Sequence, residues 1–147
     1  MRLFTFTVLV LLSLAMPTGA AHSFHVEDMQ KLSRVSGIKL SPDGRWVAFA
    51  VSRSDVAKNR SVKNVWIVPA NGGEPQQMTF AEEGSNDRPR WSPDSRYIYF
   101  LSTRVDKKPQ IFRLAISGGE AKQITHVPTG VASYILSPDG KTMAFTA

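Results

Sequence analysis

One phrase recurs three times along the chain and limits what it can fold into. Leu40-Ser41-Pro42-Asp43-Gly44-Arg45-Trp46-Val47-Ala48-Phe49 returns as Trp91-Ser92-Pro93-Asp94-Ser95-Arg96-Tyr97-Ile98-Tyr99-Phe100. It returns again as Leu136-Ser137-Pro138-Asp139-Gly140-Lys141-Thr142-Met143-Ala144-Phe145. The copies start 51 and 45 residues apart. A second phrase lies between them: Asn64-Val65-Trp66-Ile67-Val68-Pro69-Ala70-Asn71-Gly72-Gly73 matches Gln110-Ile111-Phe112-Arg113-Leu114-Ala115-Ile116-Ser117-Gly118-Gly119 at an offset of 46. Two phrases recurring in the same order define one structural unit used repeatedly, because each unit must bury its apolar faces against its neighbours.

Each phrase predicts strand, turn, strand. Ser-Pro-Asp-Gly suits a type I turn, in which Pro presets φ, Asp tolerates the next position and Gly closes the loop. The Ser hydroxyl is placed to bond a turn amide. Trp46–Val51 and Tyr97–Leu101 are rich in β-branched and aromatic residues, as strands are. Asn71-Gly72-Gly73 and Ser117-Gly118-Gly119 supply positive φ for a second tight turn, before short strands ending at Met78-Thr79 and Ile124-Thr125. Four short strands per unit make a propeller blade. In the second blade they are expected near Pro89–Trp91, Arg96–Ser102, Gln110–Ile116 and Ala121–Thr125. The fold class is therefore all-β: a partial β-propeller of about two and a half four-stranded antiparallel blades. The blades are expected at 37–80, 86–126 and 131–147. A closed ring needs about four to eight blades, so a chain of 147 residues reads as a fragment of a larger propeller.

The segments before the first repeat read differently. Arg2, the apolar run through Val8–Met16, Pro17 and the small residues Gly19-Ala20-Ala21 form a secretory leader over 1–21. The run is too short for a stable membrane span, which takes about twenty apolar residues, so no membrane insertion is expected after cleavage. The expected location is outside the cytoplasm, periplasmic or secreted. In 22–36, Val26, Met29, Leu32 and Val35 recur every third residue, with Glu27 and Asp28 early and Lys31 and Arg34 late, which predicts a short amphipathic helix. Ser52–Lys63 is polar and predicts an exposed hairpin loop, and Phe80–Arg88 a link between blades.

Composition narrows the chemistry. Cysteine is absent, which excludes disulfides and Cys-type zinc sites. The formal charge of +6 is spread over scattered Lys and Arg, without the basic run or aromatic groove of a nucleic-acid reader, so no nucleic-acid partner is expected. Gly-x-Ser-x-Gly does not occur. Of the three histidines, His22 and His25 lie near the cleaved terminus and His126 follows a blade's last strand. No triad can be assembled from them. Asp43, Asp94 and Asp139 invite a metal or acid role, but one site needs one acid and every blade needs the turn. Glu82-Glu83 is the only paired acid outside the helical segment; adjacent carboxylates could bind an ammonium, and an inter-blade loop explains them as well. Trp46, Trp66 and Trp91 fall on predicted strands and are expected to pack. No phosphate-binding loop or metal-ligand cluster appears, so no cofactor is expected, and neither catalytic, metal nor substrate-binding residues are assigned.

Residues Val26–Ser36 followed at once by Leu40–Phe49 resemble the start of exported serine peptidases of the prolyl oligopeptidase (S9) family, which includes acylaminoacyl and dipeptidyl peptidases. Asn86-Asp87-Arg88-Pro89-Arg90-Trp91-Ser92-Pro93-Asp94 resembles the repeat that this family shares with TolB-like (PD40) propellers. The resemblance covers 24–147 and implies a propeller that caps a C-terminal α/β-hydrolase domain carrying a Ser-Asp-His triad and admits only short peptides. A peptide substrate is thus implied only where that domain is present, and this chain is expected to be inactive alone. Dipeptidyl peptidases of the family bind the substrate amine with a propeller Glu pair; Glu82-Glu83 lacks the surrounding pattern, and the role is not transferred. The alternative is a non-enzymatic TolB-like periplasmic propeller that binds a protein partner, expected to carry an α/β domain before its blades. A third is a short repeat protein that assembles into a ring from several copies. The oligomeric state stays open, and the edge strand at Met143–Phe145 is expected to lack a partner.

Overall fold

The computed structural model describes residues 32–55 and 58–147. Every described element is a strand. The first sheet runs β1 (Arg34–Leu40), β2 (Trp46–Asp55), β3 (Arg60–Pro69), β4 (Gln76–Gln77). The second runs β5 (Asn86–Trp91), β6 (Tyr97–Ser102), β7 (Gln110–Ala115), β8 (Lys122–Gln123). The third contains β9 (Ser133–Leu136) and β10 (Met143–Thr146). All neighbours pair antiparallel in chain order, so each sheet is a meander and the sheets are successive blades.

The Ser-Pro-Asp turns are built as their chemistry requires. The Gly44 amide donates to the Ser41 carbonyl at 2.9 Å. The Ser41 hydroxyl accepts the Trp46 amide at 2.9 Å and donates to Asp43 Oδ1 at 2.6 Å. Asp43 Oδ1 also takes the Arg45 amide at 3.1 Å. Ser92-Asp94 and Ser137-Asp139 repeat the arrangement. In the second copy Ser95 occupies the glycine position at φ 58°, and its buried hydroxyl accepts the Asp43 amide at 3.1 Å. That bond ties the turn of one blade to the turn of the next.

A second device closes the outer strand of the first two blades. The Thr79 hydroxyl accepts the Val65 amide at 2.8 Å and donates to Asn64 Oδ1, which also takes the Ala81 amide. Thr125, Gln110 and Val127 form the same triad, with the Ile111 amide 2.9 Å from the Thr125 hydroxyl. Asn64 and Gln110 correspond in the repeat, and each turns a buried donor into a satisfied one.

The core lies between blades. Ala48, Val65 and Ile67 of the first pack on Trp91, Ile98, Phe100, Phe112 and Leu114 of the second. Leu101 and Ile111, on the opposite face of the second blade, pack on Val131 and Tyr134 of the third. Adjacent residues of one strand thus serve two interfaces, which is why Tyr97–Leu101 is apolar without interruption.

Three expectations are corrected. Arg34–Ser36, expected to end a helix, are strand: they pair with Ala50–Ser52, and ladder bonds outweigh a weak three-residue periodicity. The remainder of the expected helix and the leader lie outside the described residues, apart from Leu32 and Ser33, which carry no regular structure. Ser52–Lys63 is not simply a loop, since β2 and β3 continue through Ser52↔Lys63 to Asp55↔Arg60. It is polar because Arg53, Ser54 and Ser61 reach water, while Arg60 and Lys63 pair with Glu83 and Asp87. The inter-blade link is shorter than expected, because β5 begins at Asn86. β10 pairs with β9, and its outer edge has no partner among the described residues.

Candidate functional site

The acids singled out in the sequence have clear places. Asp43, Asp94 and Asp139 sit in the three turns, and their carboxyls are occupied by the turn itself. The Ser41 hydroxyl, then the Arg45 amide and guanidinium, hold Asp43 down at about 2. Ser92 and Ser137 lower Asp94 and Asp139 in the same way. None faces another acid. His126 is exposed. His22 and His25 lie outside the described residues. Trp91 is buried, and Trp46 and Trp66 are half-buried on strands β2 and β3. No group of three His, Asp or Glu able to hold a metal occurs among the described residues.

Glu82 and Glu83 line a cleft of about 470 Å³ between the first and second blades. Both are exposed, and Glu83 is engaged by Arg60 at 2.7 Å. The residue that gives the cleft its character is Arg104, which the sequence reading did not single out. Its Nε donates to Ser102 Oγ at 2.9 Å and its Nη2 to Asn86 Oδ1 at 3.1 Å. Its guanidinium lies 4.7 Å from the centre of the Phe112 ring and 5.6 Å from that of Phe100. Burial lowers its pKa, yet a guanidinium stays charged throughout the physiological range.

The repeat explains Arg104. Arg53 stands at the same place in the first blade and lies 5.7 Å from the Trp66 ring centre, where Trp66 replaces Phe112. An arginine stacked on the aromatic of strand β3 or β7 is therefore a recurring blade element, exposed in both copies, whose stem covers the ring while its head meets water. The offset of 51 residues in the sequence was the signal that could have found it.

At the inner side the first strands of the three blades converge. The Trp91 indole N–H donates to the Lys39 carbonyl at 2.9 Å, and the Tyr134 hydroxyl to the Arg88 carbonyl at 2.8 Å. Matching bulges interrupt β1 after Ser36 and β5 after Asp87, at the corresponding positions Gly37 and Arg88. Arg88 has φ 54° there, is exposed, and donates through its guanidinium to the Ala132 carbonyl. Bulges of this kind re-aim side chains. The inner strands thus carry Arg34, Lys39, Arg88 and Arg90, whereas Asp87, their one acid, is taken up by Lys63 at 2.6 Å.

Successive four-stranded meanders packed face to face, inner strand to inner strand, define a β-propeller. The chain belongs to the TolB β-propeller domain (PD40) family, whose pattern matches residues 24–147. An uncharacterized peptidase, YuxL of Bacillus subtilis, is 33% identical over 120 residues, covering 82% of this chain and 18% of that protein. Dipeptidyl-peptidase 5 of Porphyromonas endodontalis is 28% identical over 121 residues, covering 82% of this chain and 17% of that protein. Among solved structures, a putative TolB from Agrobacterium tumefaciens superposes with a TM-score of 0.60 at 31% identity, covering 78% of this chain and 38% of that one. The chain spans less than a fifth of the length of these two peptidases.

Proposed function

We propose that the chain is the propeller portion of an exported S9-type serine peptidase, and that it admits short peptides to an α/β-hydrolase domain carrying a Ser-Asp-His triad. The observation that carries this reading is the alignment of 82% of the chain with peptidases. The geometry agrees with a gating role: the described blades hold clefts, stacked arginines and a basic inner surface, and their polar groups are committed to turns and ladders. The leader at 1–21 would direct the protein to the periplasm or medium.

A reading frame that continues past the Ala147 codon into Gly-x-Ser-x-Gly supports the proposal. Its full product should cleave a peptidyl-anilide and be stopped by a serine-directed inhibitor, and the 147-residue chain alone should cleave nothing. Further blades followed by a stop codon would overturn it in favour of a TolB-like propeller that binds a protein partner. That second reading is favoured by the likeness to the Agrobacterium TolB.

A further inference from the structure

Four asparagines occur in the chain, Asn59, Asn64, Asn71 and Asn86, and their surroundings differ. Asn86 is fully buried, and its amide group is held by Asn64 and Arg104. Asn64 is half-buried, and its Oδ1 accepts from Thr79, Ala81 and Asn86. Asn59 is exposed, but the next residue is Arg60, whose side chain is engaged by Asp55 and Glu83. Asn71 alone is both exposed and followed by glycine. Gly72 has φ 97°, and a Cβ built there would meet nothing within 4 Å, so the Asn71–Gly72 peptide is open to water. One backbone hydrogen bond guards it, from the Gly72 amide to the Pro69 carbonyl at 3.1 Å. The exposure belongs to the turn itself. Asn71 stays exposed with the following blade in place, and its counterpart Ser117, in the same turn of the second blade, stays exposed with the preceding blade in place. Neither neighbour in a ring therefore reaches this turn.

We propose that Asn71 is a site of spontaneous modification to aspartate and isoaspartate. The Gly72 main-chain nitrogen loses its proton and attacks Asn71 Cγ. The N–Cγ bond forms, the bond from Cγ to the side-chain nitrogen breaks, and that nitrogen leaves as ammonia. The product is a cyclic succinimide. Water then adds to either of its carbonyls. Cleavage at Cγ gives aspartate, and cleavage at the main-chain carbonyl gives isoaspartate. The net reaction consumes a water, releases an ammonia and oxidises nothing. Glycine is what permits the attack, because no Cβ shields its nitrogen and its backbone turns freely. The Asp43-Gly44 and Asp139-Gly140 pairs are guarded against the same cyclisation. Each carboxyl Oδ1 is bound by a serine hydroxyl and a backbone amide, and an ionised carboxylate offers no leaving group. The second blade avoids the reaction by carrying Ser117 at this position.

Either product adds a negative charge beside Arg45, with which Asn71 lines a pocket. Isoaspartate also adds a methylene to the main chain inside the turn that leads to β4, whose ladder consists of Trp66↔Gln77 and Ile67↔Gln76. The outer strand of the first blade should therefore loosen as the chain ages. The inference stands whether or not a hydrolase domain follows the blades.

The test is peptide mapping by mass spectrometry of the purified chain after prolonged warm incubation, folded and in urea, at neutral and at mildly alkaline pH. Asn71 should convert first of the asparagines, faster at the higher pH, and give two product peptides of equal mass. The folded chain should convert at most about tenfold more slowly than the urea-unfolded chain, the protection that one exposed hydrogen bond supplies. Asn71→Ser, which installs the second blade's own residue, should remove both products and leave the circular dichroism unchanged. Aged parent chain should melt below fresh chain, and aged Asn71→Ser should not. Conversion of Asn59, Asn64 or Asn86 as fast as Asn71 in the folded chain would overturn the proposal. So would an Asn71 that stays intact in the folded chain while the unfolded chain converts, because the turn would then close off the attack. Unchanged melting of parent chain in which most of Asn71 has converted would overturn the link to β4.

Discussion

The first and second blades carry the same phrases and yet are not equally buried. Phe49 pairs with Trp66 across β2 and β3, and Phe100 pairs with Phe112 across β6 and β7. In the second blade the aromatic pair is sealed, Phe100 at 0% and Phe112 at 3% exposure, because Ala48, Val65 and Ile67 of the first blade cover it. In the first blade the equivalent pair is half-buried, and Arg53 lies over Trp66 on a face with no described blade beyond it. The difference teaches that a blade's apolar residues are stabilised by the sheet next door. Stability in such an array resides in the interfaces as much as in the units.

Truncating the two phenylalanines tests that contrast most severely. Phe100→Ala should cost about 3–5 kcal/mol, the usual range for a sealed aromatic. Phe49→Ala should cost less, about 2 kcal/mol, because part of the ring's surface already meets water. Urea unfolding of both variants measures the gap. Equal losses would mean that the open face of the first blade is covered in solution.

Thr79 and Thr125 ask the reverse question, whether the two blades are equal at a triad built within each blade, to which the second blade adds only the Asn86 amide, 3.1 Å from Asn64 Oδ1. Both hydroxyls are buried and serve copies of one triad. Replacing either with Val strands a backbone donor and should cost about 1–3 kcal/mol. The two losses should agree, and a much smaller loss at Thr79 would show that the open blade is already loosened around its outer strand.

The smallest effect is electrostatic. The folded Asp43 carboxyl titrates at about 2 rather than at 3.8. A carboxyl depressed by folding stabilises the fold above its unfolded value, and that contribution is lost as pH falls from about 4 through about 2. Asp94 and Asp139 shift in the same direction. Asp43→Asn should therefore flatten the fall in Tm between pH 5 and pH 2 without abolishing it. Parallel melting curves for variant and parent would refute the link.

Much of this architecture was readable before any coordinates. Ser41, Ser92 and Ser137 announce their turns because turn chemistry is local: the hydroxyl, the carboxylate and the amides they bind lie within five residues. The Gly72-Gly73 and Gly118-Gly119 pairs do the same, with φ from 93° to 141°. The long β2–β3 hairpin was misread because polarity marks exposure and does not mark the absence of a ladder. Arg34–Ser36 was misread because a short periodic stretch carries less information than the strand waiting to pair with it. Arg104 escaped notice because its stacking on Phe100 and Phe112 and its bond to Asn86 depend on how β5, β6 and β7 pair into one sheet, which no local motif announces.

The sequence by itself determined the repeat, the turns and the strand order, since each depends on neighbours along the chain. It also disqualified Asp43, Asp94 and Asp139 as a unique site, because a residue that every blade needs for its turn is not reserved for one reaction. Only the tertiary structure decided which face of each blade is sealed. It alone brought Lys39, Arg90 and Ile135 of three different blades around one cleft. The physical reason is that burial and charge pairing are sums over space, and residues 45 or more positions apart become neighbours only when sheets pack.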